Sequence, residues 1–405
     1  MRVASFCALY PPNVLGGAEI SAHNLMNHLV RRGHEVRVLT SALNGPAEIR
    51  EECGIEITRV TMPRPYSPFD RQAQPVWRKL LWHAQDHLDP RNRAIWGEFL
   101  DRVRPDVALV HIPQGLGYNG MLELAKRDVP TVAVLHDLSY VCYKTTMFRD
   151  GHTCEAPCKP CSASSRVKGK FLSSIPRLGL VSPSLANLRR VQAFMPVAGR
   201  PSTVILNPNV YPMAERVERD PAGPVRLLYV GQISRAKGVE FLLELCEELA
   251  STQSIELVVV GTGIAADDLR TRFGDAPWVR FTGHISLEDV AAQMAEADVL
   301  CVPSIWPDNS PGVIVHALQL GLPVLGSAIG GIGELINDEA EGLLLAPGDW
   351  NAWRAAILRV IRAPDDVTRW SRTALAGAGR FAPDGSVLAY EAFIDLVCAL
   401  RRRTN

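Results

Sequence analysis

A chain of 405 residues is too long for one hydrophobic core and implies two domains. Apolar residues make up 47% and charged residues 21%, the balance of a globular protein, and Lys+Arg and Asp+Glu are both 43. That neutrality gives no reason to expect a nucleic-acid partner, and no apolar run approaches the ~20 residues of a membrane span.

The chain begins "MRVASFCALYPP". Residues 3–9 read as a buried strand rather than a leader, because Pro11-Pro12 and a glycine turn follow directly. A cytoplasmic protein with mostly reduced thiols is therefore expected. In "YPPNVLGGAEISAHNLMNHLVRRGHEV", Gly16 and Gly17 join this strand to a helix over 18–32. A glycine turn at a helix N-terminus lets backbone amides approach an anion, or it is simply a tight turn. Further strands are predicted at 35–40, 55–59, 107–111, 131–135 and 178–181.

Three segments break the pattern in this half. Residues 61–93 carry Trp77, Arg78, Lys79, Trp82 and several prolines. They read as an irregular surface excursion with a partly buried helix, or as an insertion that meets an acceptor or a membrane surface. "CYKTTMFRDGHTCEAPCKPC" holds Cys142, Cys154, Cys158 and Cys161, the last three spaced Cys-x3-Cys-x2-Cys. Four thiols in a loop suit a structural zinc, with His152 as a substitute ligand; an iron–sulfur cluster, disulfides and free thiols are the alternatives. A catalytic metal is not expected, since four thiolates leave no open position. "SSRVKGKFLSSIPRL" is basic through Arg166, Lys168, Lys170 and Arg177, as a solvated face or a contact for anionic lipid or acceptor.

A stretch rich in Pro and charge, 206–224, separates this half from the next. Beyond it, strands are predicted at 226–230, 255–260, 279–282, 299–302, 323–326 and 342–345, with helices at 239–250 and 287–296 and a final helix at 386–403. Such βα alternation implies two parallel sheets covered by helices, hence two Rossmann-like domains. The boundaries are placed at 1–207, 208–383 and 384–405.

Glycine turns recur in the second half, after strands, at Gly231, Gly263 and Gly283, the last followed by His284. Ligands of open α/β sheets bind beyond the carboxyl ends of the strands, so these turns converge on one edge. In "LLYVGQISRAKGVEFLLELC", Arg235 and Lys237 precede a helix N-terminus. Two cations there oppose the helix dipole unless a polyanion sits between them. Neither domain shows the Gly-x-Gly-x-x-Gly of a dinucleotide enzyme. In "SIWPDNSPGVIVHALQLGLPV", Ser310 is a candidate N-cap and Pro311 suits the first helical position. The turn of Ser310, Pro311, Gly312 and Val313 offers backbone N–H groups to a phosphate or sugar hydroxyl. Asp308 serves as an acceptor for sugar hydroxyls or a second cap; His316 meets a ribose or is a half-buried helix histidine.

"GGAE", "RRGHEV", "LHD", "VGQISRAKG", "VVVGTG", "FTGH", "VLCVPS", "LQLGLPVLGS" and "GGIGEL" occur in this order. Together they resemble the retaining nucleotide-sugar glycosyltransferases of family 4, glycosyl transferases group 1. The resemblance implies the GT-B fold: α/β, two Rossmann-like parallel-sheet domains facing a central cleft, with a C-terminal helix crossing back onto the first. It implies a donor nucleotide diphosphate sugar on the second domain and a hydroxyl acceptor on the first. Lys237 resembles the family's diphosphate lysine and His136 the histidine beside the transferred sugar. Gly17 is expected against the donor phosphate, and Gly263, Gly283 and His284 along the nucleotide. Asp308 and His316 stand where the family usually has two glutamates, and Gln232 where it often has arginine, a charge that Arg235 could replace. No cofactor or metal is required for catalysis. A non-catalytic nucleotide-sugar-binding homologue and a nucleotide-sugar epimerase are the alternatives, and peripheral contact with the inner face of a membrane is compatible.

Overall fold

Short runs such as Val-Ala-Leu-Val and Leu-Val-Val-Val are apolar on both faces, so they settle only in sheets covered on both sides. The computed structural model describes residues 1–42, 47–70, 73–149, 151–217 and 223–401 and shows two such sheets. Part of the 206–224 stretch and the end of the final helix expected over 386–403 therefore lie outside the described residues. Contacts divide the chain into two units. The first comprises Met1–Met147, Glu155–Asn209 and Pro383–Asn405; the second comprises Phe148–Cys154 and Val210–Ala382.

The first unit's strands are β1 (Arg2–Cys7), β2 (Glu35–Ser41), β3 (Glu48–Glu52), β4 (Ile55–Val60), β5 (Val107–Ile112) and β6 (Thr131–Val134). A small antiparallel hairpin of β7 (Phe148–Arg149) and β8 (His152–Thr153) belongs to the second unit, and β9 (Leu178–Ser182) and β10 (Ser202–Val204) return to the first. Among the described residues the sheet order is β10-β9-β6-β5-β1-β2-β4-β3, parallel except for β3. The exception, "EIREE", is an exposed edge strand whose charges blunt edge-to-edge pairing. The core joins Val3, Val36, Val38, Val107, Leu109 and Val132 to Leu25 and Leu29 of the helix Gly17–Arg31. The final helix, Pro383–Cys398, adds Tyr390, Phe393, Ile394 and Val397 to that core. Its Glu391 binds Arg32 and His34 at 2.7 and 2.9 Å.

The second unit's sheet contains β11 (Val225–Val230), β12 (Ile255–Val260), β13 (Val279–Gly283), β14 (Val299–Val302), β15 (Val324–Ser327) and β16 (Gly342–Leu345). Its order is β13-β12-β11-β14-β15-β16, parallel throughout. This is the doubly wound arrangement, in which strand order reverses between β11 and β14 and leaves a crevice at their carboxyl ends. The first sheet reverses in the same way between β1 and β5. The second core packs Leu227, Leu257 and Val259 against Leu242, Cys246, Trp353 and Trp370.

Residues 61–93 are more regular than the sequence implies. They form a short 3-10 turn, Pro68–Asp70, and a full helix, Val76–Leu88, before the next helix, Pro90–Val103. The basic stretch around Lys168 is also helical, Lys159–Ser173, and Lys168 is not a solvated charge. It is buried, donates to Ser139 O at 2.6 Å and lies 4.5 Å from the Tyr118 ring centroid. Burial lowers its pKa to about 8.

Candidate active site

In the second unit, backbone hydrogen bonds zip together the loops at the carboxyl edge of the sheet. Gly231 N donates to Val260 O at 3.0 Å, Ile233 N to Thr262 O at 2.8 Å, and Gly261 N to Gly283 O at 2.8 Å. Gly263 follows in the loop after β12, and Gly283 closes β13 with His284 exposed beyond it.

The loop after β11 tightens into a 3-10 turn, Arg235–Lys237, that ends at Gly238. Gly238 has φ +72°, and a Cβ there would lie 1.9 Å from the carbonyl oxygen of Pro303. Only glycine combines this left-handed geometry with that close approach. The turn therefore seats against the loop after β14, where Ile305 N donates to Ala236 O at 3.0 Å.

Lys237 and Asp308 meet as a consequence. The Lys237 ammonium forms an ion pair with the Asp308 carboxylate and lies 5.1 Å from the Trp306 ring centroid. Ser304 Oγ also reaches Asp308 Oδ2, at 3.4 Å. A third loop braces the backbone carbonyl of Asp308. Gly330 has φ +58°, a Cβ on it would lie 2.3 Å from Asp308 O, and Gly331 N donates to that oxygen at 2.7 Å. Loops from β11, β14 and β15 thus converge on one charge pair at the point where the strand order reverses. Lys237 keeps 23% and Asp308 12% of its side chain in solvent, so both remain reachable. Arg235 and Gln232 are exposed on the same turn.

The stretch 304–324 differs from the sequence reading at its cap. The helix is Gly312–Gln319, its N-cap is Pro311 rather than Ser310, and no side chain caps it. The first-turn amides of Gly312 and Val313 lie in the half-exposed part of that turn, behind Ser310 and Pro311. His316 sits as a helix histidine. It is buried, stacks on Tyr211 with centroids 4.8 Å apart and planes 13° apart, and its Nε2 donates to Pro212 O at 2.8 Å. Burial lowers its pKa, which keeps the ring neutral. Its observed work is to fasten the segment after Asn209 onto this helix.

In the first unit, the Gly16–Gly17 turn is braced by Glu19, whose carboxylate accepts from Gly16 N at 3.0 Å. Burial raises the Glu19 pKa, and the Asp137 charge adds to the effect. His136 follows β6, and its Nε2 lies 2.9 Å from Nδ1 of His111, with the two rings stacked. His111 is the residue that sequence reasoning missed. The available signal was a histidine at the carboxyl end of an otherwise apolar strand, "VALVHI", beside the reversal point. Its Nε2 is buried with no partner among the described residues.

Burial holds both histidines neutral: His111 lies well below its ordinary value and His136 is pulled down to about 4. In the unfolded chain each titrates near 6.5. The unfolded state therefore binds more protons as pH falls through that range, and the native state loses stability. We expect the melting temperature to fall from pH 6.5 toward 4, and to fall less in His136→Asn than in the wild type. Equal slopes in the two proteins would contradict the assignment.

The zinc expectation is not met. Among the described residues, no group of three or more His, Cys, Asp or Glu side chains is placed to hold a metal ion. Cys142 and Cys161 are buried side by side with sulfurs 3.7 Å apart, and burial pushes the Cys161 thiol up to about 12. Cys154 follows the β7–β8 hairpin and groups with the second unit, whereas Cys142, Cys158 and Cys161 belong to the first. None of the four is in a disulfide among the described residues.

Comparison with known proteins supplies the chemistry that this geometry serves. Residues 15–154 match the family model Glycosyltransferase Family 4, and residues 224–363 match Glycosyl transferases group 1. The chain is 26% identical to the glycogen synthase of Mycobacterium tuberculosis over 396 residues, covering 92% of this chain and 89% of that protein. It is also 26% identical to the GDP-mannose-dependent alpha-mannosyltransferase of Corynebacterium glutamicum, covering 85% of this chain and 76% of that one. Among solved structures, sucrose-phosphate synthase from Thermosynechococcus elongatus matches with a TM-score of 0.75 at 18% identity, over 98% of this chain and 99% of that one. HepE from Anabaena, solved with UDP and glucose, matches with a TM-score of 0.68 at 18% identity and the same coverage. Two matched models in series, two doubly wound parallel sheets and full-length likeness to GT-B structures agree: the chain belongs to the group 1, family 4 glycosyltransferases and is a nucleotide-sugar glycosyltransferase of GT-B fold.

Proposed function

We propose that the enzyme transfers a sugar from a nucleotide diphosphate sugar to a hydroxyl acceptor with retention of anomeric configuration. The second unit binds the donor and the first binds the acceptor. The observation that carries this reading is the Lys237–Asp308 pair at the strand-order reversal of the second sheet. In this reading, Lys237 exchanges Asp308 for the donor diphosphate, and exposed Arg235 adds a second positive charge. Their combined charge stabilises the leaving group as the bond from sugar C1 to phosphate oxygen breaks. The acceptor oxygen forms the new bond to C1 and gives its proton to the departing diphosphate. Two cations already at the phosphates make a metal ion unnecessary there. Asp308, freed from Lys237, accepts from a sugar hydroxyl. His136, kept neutral by burial, presents an uncharged imidazole to the transferred sugar.

Relatives named glycogen synthase and alpha-mannosyltransferase support hexosyl transfer; a polysaccharide, a glycolipid or a secondary metabolite would supply the acceptor hydroxyl. The Anabaena structure with UDP and glucose supports a uridine donor. The second reading, a non-catalytic nucleotide-sugar binder, is motivated by Asp308 and His316 standing where the family usually has two glutamates.

Proton NMR of the enzyme mixed separately with UDP-, GDP-, ADP- and dTDP-glucose and with GDP-mannose tests both readings. We expect one donor to be cleaved slowly by water, releasing the sugar first in the donor's own anomeric form. Release of the opposite anomer would overturn retention. A donor that binds but is neither hydrolysed nor transferred would favour the second reading.

A further inference from the structure

A helix on a protein surface normally buries its apolar stripe and turns its charges to water. The helix Val76–Leu88 of the first unit does the reverse. Its inward side carries Trp82, Asp86 and His87. Asp86 is fully buried, pairs with Arg64 at 2.9 Å and accepts from Gly115 N at 2.8 Å. His87 Nε2 lies 2.9 Å from Ser164 Oγ. These polar anchors hold the helix rigidly by the face that would ordinarily be wet.

Its outward side is mainly apolar. Val76, Trp77, Leu80, Leu81, Ala84 and Leu88 are all exposed, Trp77 by 65% and Leu80 by 66%. At about 100° per residue they span an arc of about 140°, broken by His87 near one edge, whose side chain is buried. The same geometry places Arg78 about 60° beyond one edge of the arc and Lys79 about 60° beyond the other. Asp86 is the helix's carboxylate, and it is buried and neutralised. The helix therefore offers solvent a leucine- and tryptophan-rich face bordered on both sides by half-buried cations, of which Arg78 donates to the neutral acceptors Gln74 Oε1 and Pro65 O at 2.8 and 2.5 Å and keeps its charge.

We propose that this face docks on an anionic lipid surface, with the helix lying in the plane of the headgroups. An apolar arc, an interfacial tryptophan and flanking Arg and Lys are the features by which interfacial helices bind. Charge argues against a second copy of this chain as the occupant. A two-fold contact through the arc would bring together two helices each flanked by Arg78 and Lys79, with no exposed carboxylate on either helix to offset that charge. No helix among the described residues is long and apolar enough to cross a membrane, so this face would act as a peripheral dock. Nothing in the docking depends on the donor chemistry, so the two stand or fall separately.

The test is co-sedimentation of the full chain with phosphatidylcholine vesicles, and with mixed phosphatidylglycerol–phosphatidylcholine vesicles. We expect binding to the mixed vesicles that weakens with added salt and is at least about tenfold weaker to phosphatidylcholine alone. Trp77→Ser and Leu80→Ser, both outside the donor site and on the exposed face, should each weaken binding about tenfold or more with an unchanged melting temperature. Absence of binding by the folded wild type would overturn the proposal, as would full binding by both variants. Dimerisation in solution that Trp77→Ser abolishes would also overturn it, by assigning the face to a second copy.

Discussion

Lys237→Ala should lower kcat/KM by about 10²–10³-fold, the loss expected when one preorganised charge at a leaving group is removed. Both units should remain folded. Lys237 lies on a short turn, its side chain is partly solvent-exposed, and Gly238 and Pro303 set the turn without it. The variant leaves Asp308 without its cation in a half-dry setting, which costs about 1–2 kcal/mol of stability. Lys237→Arg should recover part of the rate, because a guanidinium also carries charge to phosphate but seats differently over Trp306. Steady-state kinetics with circular dichroism checks both halves. Near-wild-type turnover in a folded Lys237→Ala protein would remove Lys237 from the phosphate site.

Asp308→Asn should reduce kcat/KM by about 10–100-fold. The amide keeps the size of the side chain and leaves the backbone brace from Gly331 in place. What it removes is the negative charge that positions Lys237 before the donor arrives and the strong acceptor for a sugar hydroxyl. The two residues touch, so their effects should not multiply: Lys237→Ala combined with Asp308→Asn should lose more than Lys237→Ala alone but less than the product of the two single losses. If Asp308 only caps its own loop, Asp308→Asn will leave kcat/KM unchanged, and the double variant will match Lys237→Ala. Kinetics of the single variant separates the two cases.

The sheets were legible because parallel strands buried on both faces are nearly continuous apolar runs. The predicted strand at 255–260 coincides with β12, and the predicted strand at 299–302 with β14. β3 was not legible, because an exposed edge strand written "EIREE" has neither apolar content nor alternation. The helix Val76–Leu88 was obscured for a related reason. Its apolar face points outward, so reading hydrophobic residues as core puts the wrong side in.

Within the site, Lys237 was legible as a cation misplaced at a helix N-terminus. Its partner was not, because Asp308 lies 71 residues away and the pairing depends on two loops closing over Gly238 and Gly330. His316 stayed open between a ribose contact and a half-buried helix histidine because a helical period gives the face of a residue but not what covers that face, here Tyr211 and Pro212. The cysteine spacing misled for a similar reason. Four thiols close in sequence suggest one site, yet the hairpin beside Cys154 groups with the other unit.

The central claim is that the second unit binds a nucleotide diphosphate through Lys237. The most direct test is the melting temperature of the wild type and of Lys237→Ala, each with saturating UDP, GDP, ADP and dTDP. A ligand that binds only the native state raises its melting temperature by mass action. We predict a clear rise with one nucleotide in the wild type, and a rise that is much smaller or absent in Lys237→Ala. No rise with any nucleotide, or an equal rise in both proteins, would contradict the account.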